Sequence, residues 1–257
     1  MSFDARAHLF YRVANAPVMR YPFPHFYLDS VFPEDFYRKL LDELPPLAAY
    51  TPLSETGTVP AGTYKERFSL DPLHLGETDP PSPHAPFWRD VVQWMEGGEF
   101  SSLLLGKFDS AVIERFGNGN EFRIDQDTRL IRDFTNFAIG PHTDSPRKLV
   151  SLLFYLPRDD SLSHLGTSIF EPVDPEFRCE GVRHYGFEGF RKSFTAAFRP
   201  NTLFAFFKTD RSFHGVEPIA DAQIERDLLL YNIYVNKIVH MVPVPPKKGF
   251  RWPWSRA

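Results

Sequence analysis

Two histidines and one aspartate are the residues of this chain best placed to do chemistry together. His142 and Asp144, in "GPHTDSPRKLVSLLFYLP", form a His-x-Asp pair. With nine His and 33 acidic residues among 257, roughly one His-x-Asp/Glu pair arises by chance, so the pair needs support from its surroundings. Side chains two apart on a strand share a face. Both are therefore expected to aim at one ion from the head of the apolar run at 148–157. His214, in "KTDRSFHGVEPI", opens another strand-like segment and supplies a third donor. Two imidazoles and one carboxylate on one side of an ion leave the opposite positions open, the arrangement of non-haem Fe(II) oxygen chemistry. Arg226 begins "RDLLLYNIYV" twelve residues after His214, across one turn. Its rigid fork of donors suits the far carboxylate of a dicarboxylate cosubstrate.

The elements that must hold these residues read in two textures. Up to residue 120 the chain looks helical with proline-rich joints. "SVFPEDFYRKLLDELPP" places Phe36, Leu40 and Leu44 at helical spacing before Pro45-Pro46. "PFWRDVVQWMEGG" and "EFSSLLLGKFDSAVIERFGNG" predict two more helices, the second stopped by Gly117-Asn118-Gly119. Residues 51–86 read as loop. After residue 120, "RLIRDF", "KLVSLLFYLP", "TSIFEPV", "SFTAAFRP", "NTLFAFFK", "FHGVEPI" and "RDLLLYNIYVNK" read as strands separated by Gly, Pro and Asn turns. Many short strands predict a sandwich or jelly roll, and the 26 Phe suit an interior between two sheet faces. The segment 174–193, "DPEFRCEGVRHYGFEGFRKS", is long for a connection and is expected to act as a lid, with a rigid flap packed on the sandwich as the alternative. Phe177, Tyr185, Phe187 and Phe190 would cover a substrate. The expected organisation is a single domain over 1–257. A helical support region, 1–120, packs on a core, 121–240, and a tail follows at 241–257.

Composition narrows the class. The chain is 42% apolar and 24% charged, with a net charge of −4, values of an ordinary globular protein without pull toward nucleic acid. One cysteine, Cys179, excludes a disulfide within the chain. The first residues lack the apolar stretch of a secretory signal, and no apolar run approaches the ~20 residues of a membrane helix. A cytoplasmic protein is expected. His164, His184 and Cys179 lack zinc-type spacing and no His-Glu-x-x-His occurs, so they read as loop residues. Arg147 and Lys148 read as solvent-exposed. The tail, with four cations among Phe250, Trp252 and Trp254, reads as packed on its own domain or frayed. Arg132 and Asn136 precede the His-x-Asp pair and are candidates for the substrate side.

The run "HTD…LLFYLP…LGTSIFEP…PNTLFAFFKTDRSFHGVEPI…R" resembles the Fe(II)/2-oxoglutarate-dependent dioxygenases of the prolyl-4-hydroxylase-like group, over roughly residues 120–237. The resemblance implies a mostly β protein with a helical N-terminal part and a double-stranded β-helix (jelly roll, cupin-like) core. It implies His142, Asp144 and His214 as Fe(II) ligands and Arg226 and Tyr155 as contacts of 2-oxoglutarate. The basic residue stands twelve rather than about ten positions after the distal His. O2 and a small-molecule or peptidyl substrate would be partners, and succinate and CO2 products. A non-catalytic cupin-like metal- or sugar-binding protein is the competing reading. It has no need of a cation placed for a cosubstrate. A cupin-type isomerase or hydrolase would usually add a further His or Glu ligand, which the sequence does not offer. Substrate and oligomeric state stay open.

Overall fold

The computed structural model describes residues 3–57, 59–60, 62–119 and 121–239; the tail at 241–257 lies outside them. Five helices come first: α1 (Phe3–Asn15), α2 (Glu34–Asp42), α3 (Ala85–Met95), α4 (Gly98–Lys107) and α5 (Asp109–Phe116). In α2 the acidic Glu34 and Asp35 occupy the first turn, where the helix dipole favours them, while Phe36, Tyr37, Leu40 and Leu41 are buried. The apolar pattern over 99–119 makes two helices rather than one. The chain breaks at Phe108, whose ring is buried against Phe26 and Phe207.

Three strands lie within the N-terminal part: β1 (His25–Leu28), β2 (Thr51–Pro52) and β3 (Arg67–Leu70). Eight follow: β4 (Glu121–Phe134), β5 (Ile139–His142), β6 (Lys148–Tyr155), β7 (Thr167–Pro172), β8 (Phe190–Ala196), β9 (Thr202–Phe207), β10 (His214–Val216) and β11 (Glu225–Val239). They form two antiparallel sheets. The larger runs β1-β9-β6-β11-β4-β3-β2 and the smaller β5-β10-β7-β8. From β4 onward the chain passes repeatedly between the sheets, which gives the double-stranded β-helix. The segment at 51–86 is thus not all loop: β3 pairs with β4, with Arg67 opposite Asp133.

β6, β9 and the middle of β11 are apolar on both faces because both are covered. From β6, β9 and β11, Leu152, Phe154, Leu203, Ala205, Leu229 and Tyr231 join the helices in one core. The alternating residues Tyr155, Phe204, Phe206 and Leu228 face the smaller sheet and meet Ile169 and Ala196. Continuous apolar runs are what two-sided burial requires. Among the described residues no helix is long and apolar enough to cross a membrane.

The segment 174–193 is packed. Phe177, Tyr185, Phe187 and Phe190 pack against Phe170, Cys179 and Phe213. Backbone hydrogen bonds tie Cys179 to Asp210, Val182 to Thr143 and Tyr185 to Pro141, at 2.9, 3.2 and 3.0 Å. The stretch 179–185 therefore runs along the β5 edge of the smaller sheet, and 190–193 begins β8 at its opposite edge. The segment's four aromatic residues fill that cluster, and none lines the cavity beside His142.

Candidate functional site

His142 closes β5, and His214 opens β10 directly opposite it in the same sheet. Asp144 stands in the turn between β5 and β6, so the His-x-Asp pair ends one strand rather than heading the next. Arg115, from α5, fixes that turn by donating to the carbonyls of Pro146, Lys148 (2.8 Å) and Lys208 (3.1 Å). The imidazole centroids of His142 and His214 are 4.3 Å apart, and ligand atoms of His142, Asp144 and His214 lie within 4.8 Å of one another. Each imidazole is oriented by its backbone. Nδ1 of His142 meets the Gly140 carbonyl at 3.0 Å, and Nδ1 of His214 meets the Ser212 carbonyl at 2.9 Å. Both Nδ1 atoms then carry the proton, and both Nε2 lone pairs are left to bind an ion.

Burial fixes the charge states of the three groups. It lowers the pKa of His142 well below the ordinary value, with His214 adding to the effect. It lowers that of His214 too, against the opposing pull of Asp144. Burial would raise the Asp144 carboxyl. Lys148, the two imidazoles and the Ser151 hydroxyl outweigh it and hold the carboxyl well below the usual range. Neutral imidazoles and an ionised carboxylate are the protonation states a divalent cation requires of these ligands. Lys148 donates to Asp144 Oδ1 at 3.1 Å and Ser151 to Oδ2 at 2.7 Å. Lys148 is thus turned inward onto Asp144, with 16% of its side chain exposed, instead of solvated. The donor set and its orientation fit a divalent metal.

The triad opens onto a cavity of about 100 Å³ between the sheets, lined also by Arg67, Lys148, Ser151, Leu153, Thr167 and Asn232 among others. A roomier cleft of about 410 Å³ lies behind α5 beside Arg115, Lys208 and Asp210. The three-ligand group faces the smaller cavity.

The remaining expected residues divide. Tyr155 and Arg226 sit together, both fully buried, against Thr167, which lines the cavity. The Tyr155 hydroxyl accepts from the Thr167 amide at 3.1 Å. Arg226 donates to Asp133 Oδ2 at 2.7 Å and to the Leu165 carbonyl at 2.7 Å, and its guanidinium lies over the ring of Phe198. It does not itself line the cavity. Arg132 points to the opposite face of the sheet from Asp133, paired with Asp227 at 2.8 Å and stacked over Tyr50. Asn136 is exposed in a turn with φ of 71°. Neither lines the cavity, because alternation along β4 sends residue 132 outward and the chain leaves the sheet before 136.

Sequence reasoning passed over three participants. His184 packs edge-on against His142, ring centroids 4.4 Å apart, and meets the Tyr64 hydroxyl. Ser151 and Arg67 reach Asp144 and Asp133 respectively. None stands in a motif, and only strand pairing and loop packing bring them in.

No known family's sequence pattern matches the chain, and no curated protein matches it in sequence. Solved structures do match in shape. The non-heme α-ketoglutarate-dependent epimerase SnoN from nogalamycin biosynthesis shares 12% identity at a TM-score of 0.51, over 90% of this chain and 80% of that one. A Pseudomonas putida prolyl-4-hydroxylase shares 15% identity at 0.46, over 89% and 98%. An oxidoreductase of the 2OG-Fe(II) oxygenase family from Burkholderia pseudomallei shares 13% at 0.44, over 89% of each chain. With two antiparallel sheets exchanging strands and the SnoN likeness, the chain has the double-stranded β-helix fold found in 2-oxoglutarate-dependent iron enzymes.

Proposed function

We propose that this protein is an Fe(II)- and 2-oxoglutarate-dependent oxygenase that hydroxylates a small-molecule or peptidyl substrate and releases succinate and CO2. The observation that carries the reading is the His142, Asp144 and His214 group, its ligand atoms within 4.8 Å of one another at the mouth of a cavity between the sheets. The α-ketoglutarate dependence of SnoN, a protein of this fold, supports the cosubstrate. On this reading iron supplies the activation of O2 when bound. The chain's residues do the rest. His142 and His214 hold the ion through Nε2, kept in that tautomer by the carbonyls of Gly140 and Ser212. Ser151 and Lys148 fix the Asp144 carboxylate. Leu153, Leu228 and Phe206 exclude water from the inner wall. Arg226 and Tyr155, buried together against Thr167 of the cavity wall, mark the side toward which the far carboxylate of 2-oxoglutarate is drawn. A binding protein without turnover has no use for a cation placed beside such a chamber.

The same reading takes residues 1–257 as a single domain, with 1–120 supporting the catalytic core at 121–240. It places the protein in the cytoplasm, consistent with its lone cysteine. The test is a screen for succinate formed from 2-oxoglutarate with Fe(II), ascorbate and O2 across candidate substrate classes. Turnover in the parent and none in His142→Ala/His214→Ala is expected. Equal turnover in both would overturn the reading.

A further inference from the structure

A buried cluster of three charges lies beside the candidate metal centre, and it does not balance. Arg67 grips Asp133 with two parallel bonds, Nε to Oδ1 at 2.6 Å and Nη2 to Oδ2 at 2.9 Å. Arg226 takes Oδ2 from the other side at 2.7 Å. The side chains of Asp133 and Arg226 are fully buried, and that of Arg67 is 15% exposed. Two guanidinium groups against one carboxylate leave one positive charge in a largely desolvated place. Such a charge is costly without a counterion.

The two arginines are not equivalent. Arg226 is enclosed by Tyr155 and Phe198, spends Nε on the Leu165 carbonyl, and has its Nη2 3.5 Å from the Thr167 hydroxyl. Arg67 lines the same cavity as His142, Asp144, His214 and Thr167. It lies 4.2 Å over the ring of Phe137, which holds the guanidinium plane in place. Its Nη1 has no acceptor among the described residues. Lys148, the other cavity-lining cation, is engaged with Asp144.

We propose that Arg67, from β3 in the N-terminal third, receives the far carboxylate of the 2-oxo acid cosubstrate, and that Asp133 is the positioning residue holding Arg67 and Arg226 side by side. The inference rests on the oxygenase reading above and adds the residue that recognises the diacid. A second carboxylate makes the cluster two against two, and the free edge of Arg67 offers it charge-assisted donors. It also gives residues 51–86 a function: they carry the cation that selects a diacid.

The test is calorimetry on the full chain loaded with Mn(II), which binds such ligands without consuming O2. The titrants are 2-oxoglutarate and 2-oxopentanoate, which keeps the chelating end but lacks the far carboxylate. The parent is expected to prefer the diacid. Arg67→Ala is expected to bind Mn(II) and 2-oxopentanoate as the parent does and to lose about 30-fold or more in 2-oxoglutarate affinity. Should Arg67→Ala not fold, Arg67→Lys keeps the charge without the fork and is expected to lose about tenfold, for the diacid alone. A parent that prefers the diacid, with a variant that matches it or weakens both acids equally, overturns the assignment alone. A Mn(II)-loaded parent that binds neither acid overturns the oxygenase reading and the assignment with it.

Discussion

Asp144 has more partners than its two oxygens suggest. Oδ1 meets Lys148 at 3.1 Å and stands 4.0 Å from His214 Nε2, while Oδ2 accepts from Ser151 at 2.7 Å. The serine hydroxyl leaves Oδ1 as the oxygen turned toward the imidazoles. Ser151→Ala is therefore expected to weaken divalent metal binding about tenfold without abolishing it, measured by competition with a fluorescent chelator. Unchanged affinity would mean that Ser151 does not orient the ligand. Arg226 makes a different prediction. It is fully buried, and its loss strands the Leu165 carbonyl, leaves a hole between Tyr155 and Phe198, and takes one partner from Asp133. With Asp133 still held by Arg67, Arg226→Ala is expected to destabilise the fold by about 2–4 kcal/mol through the cavity and the stranded carbonyl, read from urea unfolding. A change below about 1 kcal/mol would contradict the buried network described here.

At the scale of elements, the ligands stand where chain segments meet. β5 ends at His142, β10 begins at His214, and the packed segment 179–185 runs beside both. That segment comes so close that Gly181, at φ 141°, has no room for a side chain: a Cβ there would overlap the Asp144 carbonyl. Gly181→Ala is expected to cost about 1–3 kcal/mol and to shift Asp144, so thermal unfolding and metal affinity should fall together. A variant weakened in neither would show that the segment does not brace the ligand. Much of this level was legible in the sequence. The runs at 148–157, 167–173, 201–208 and 226–237 all became strands because their apolar residues and turn punctuation are local signals. His142, Asp144 and His214 could be grouped because the donor types and their strand-end positions are also local. What was hidden depends on pairing between distant segments. Arg67 matters only because β3 lies against β4, and Arg132 faces away because the register sends Asp133 inward. The four-residue strand β5 and the single-residue break at Phe108 were too short for any periodicity to reveal.

Across the whole molecule, helices and jelly roll share one core. Leu9, Trp88 and Phe100 from the helical part pack in the same cluster as Leu152, Ala205 and Leu229 from the larger sheet. Unfolding is expected to be a single transition, seen alike by far-ultraviolet dichroism and tryptophan fluorescence. Trp88, fully buried with its indole N–H on the Glu43 carbonyl at 2.6 Å, is the anchor of that cover. Trp88→Ala is expected to cost about 3–5 kcal/mol and to lower both signals together; two separate transitions would contradict a common core. The helical cover keeps the larger sheet dry on its outer face, and its inner face then forms one wall of the chamber beside the triad. The central claim is that His142, Asp144 and His214 hold an ion to which 2-oxoglutarate binds in that chamber. Its most direct test is calorimetric titration of 2-oxoglutarate into the protein under argon, with and without one equivalent of Fe(II). One equivalent bound per chain, only when metal is present, and lost in His142→Ala/His214→Ala, is the expected result. Binding that ignores the metal, or no binding to protein that demonstrably holds Fe(II), would contradict it.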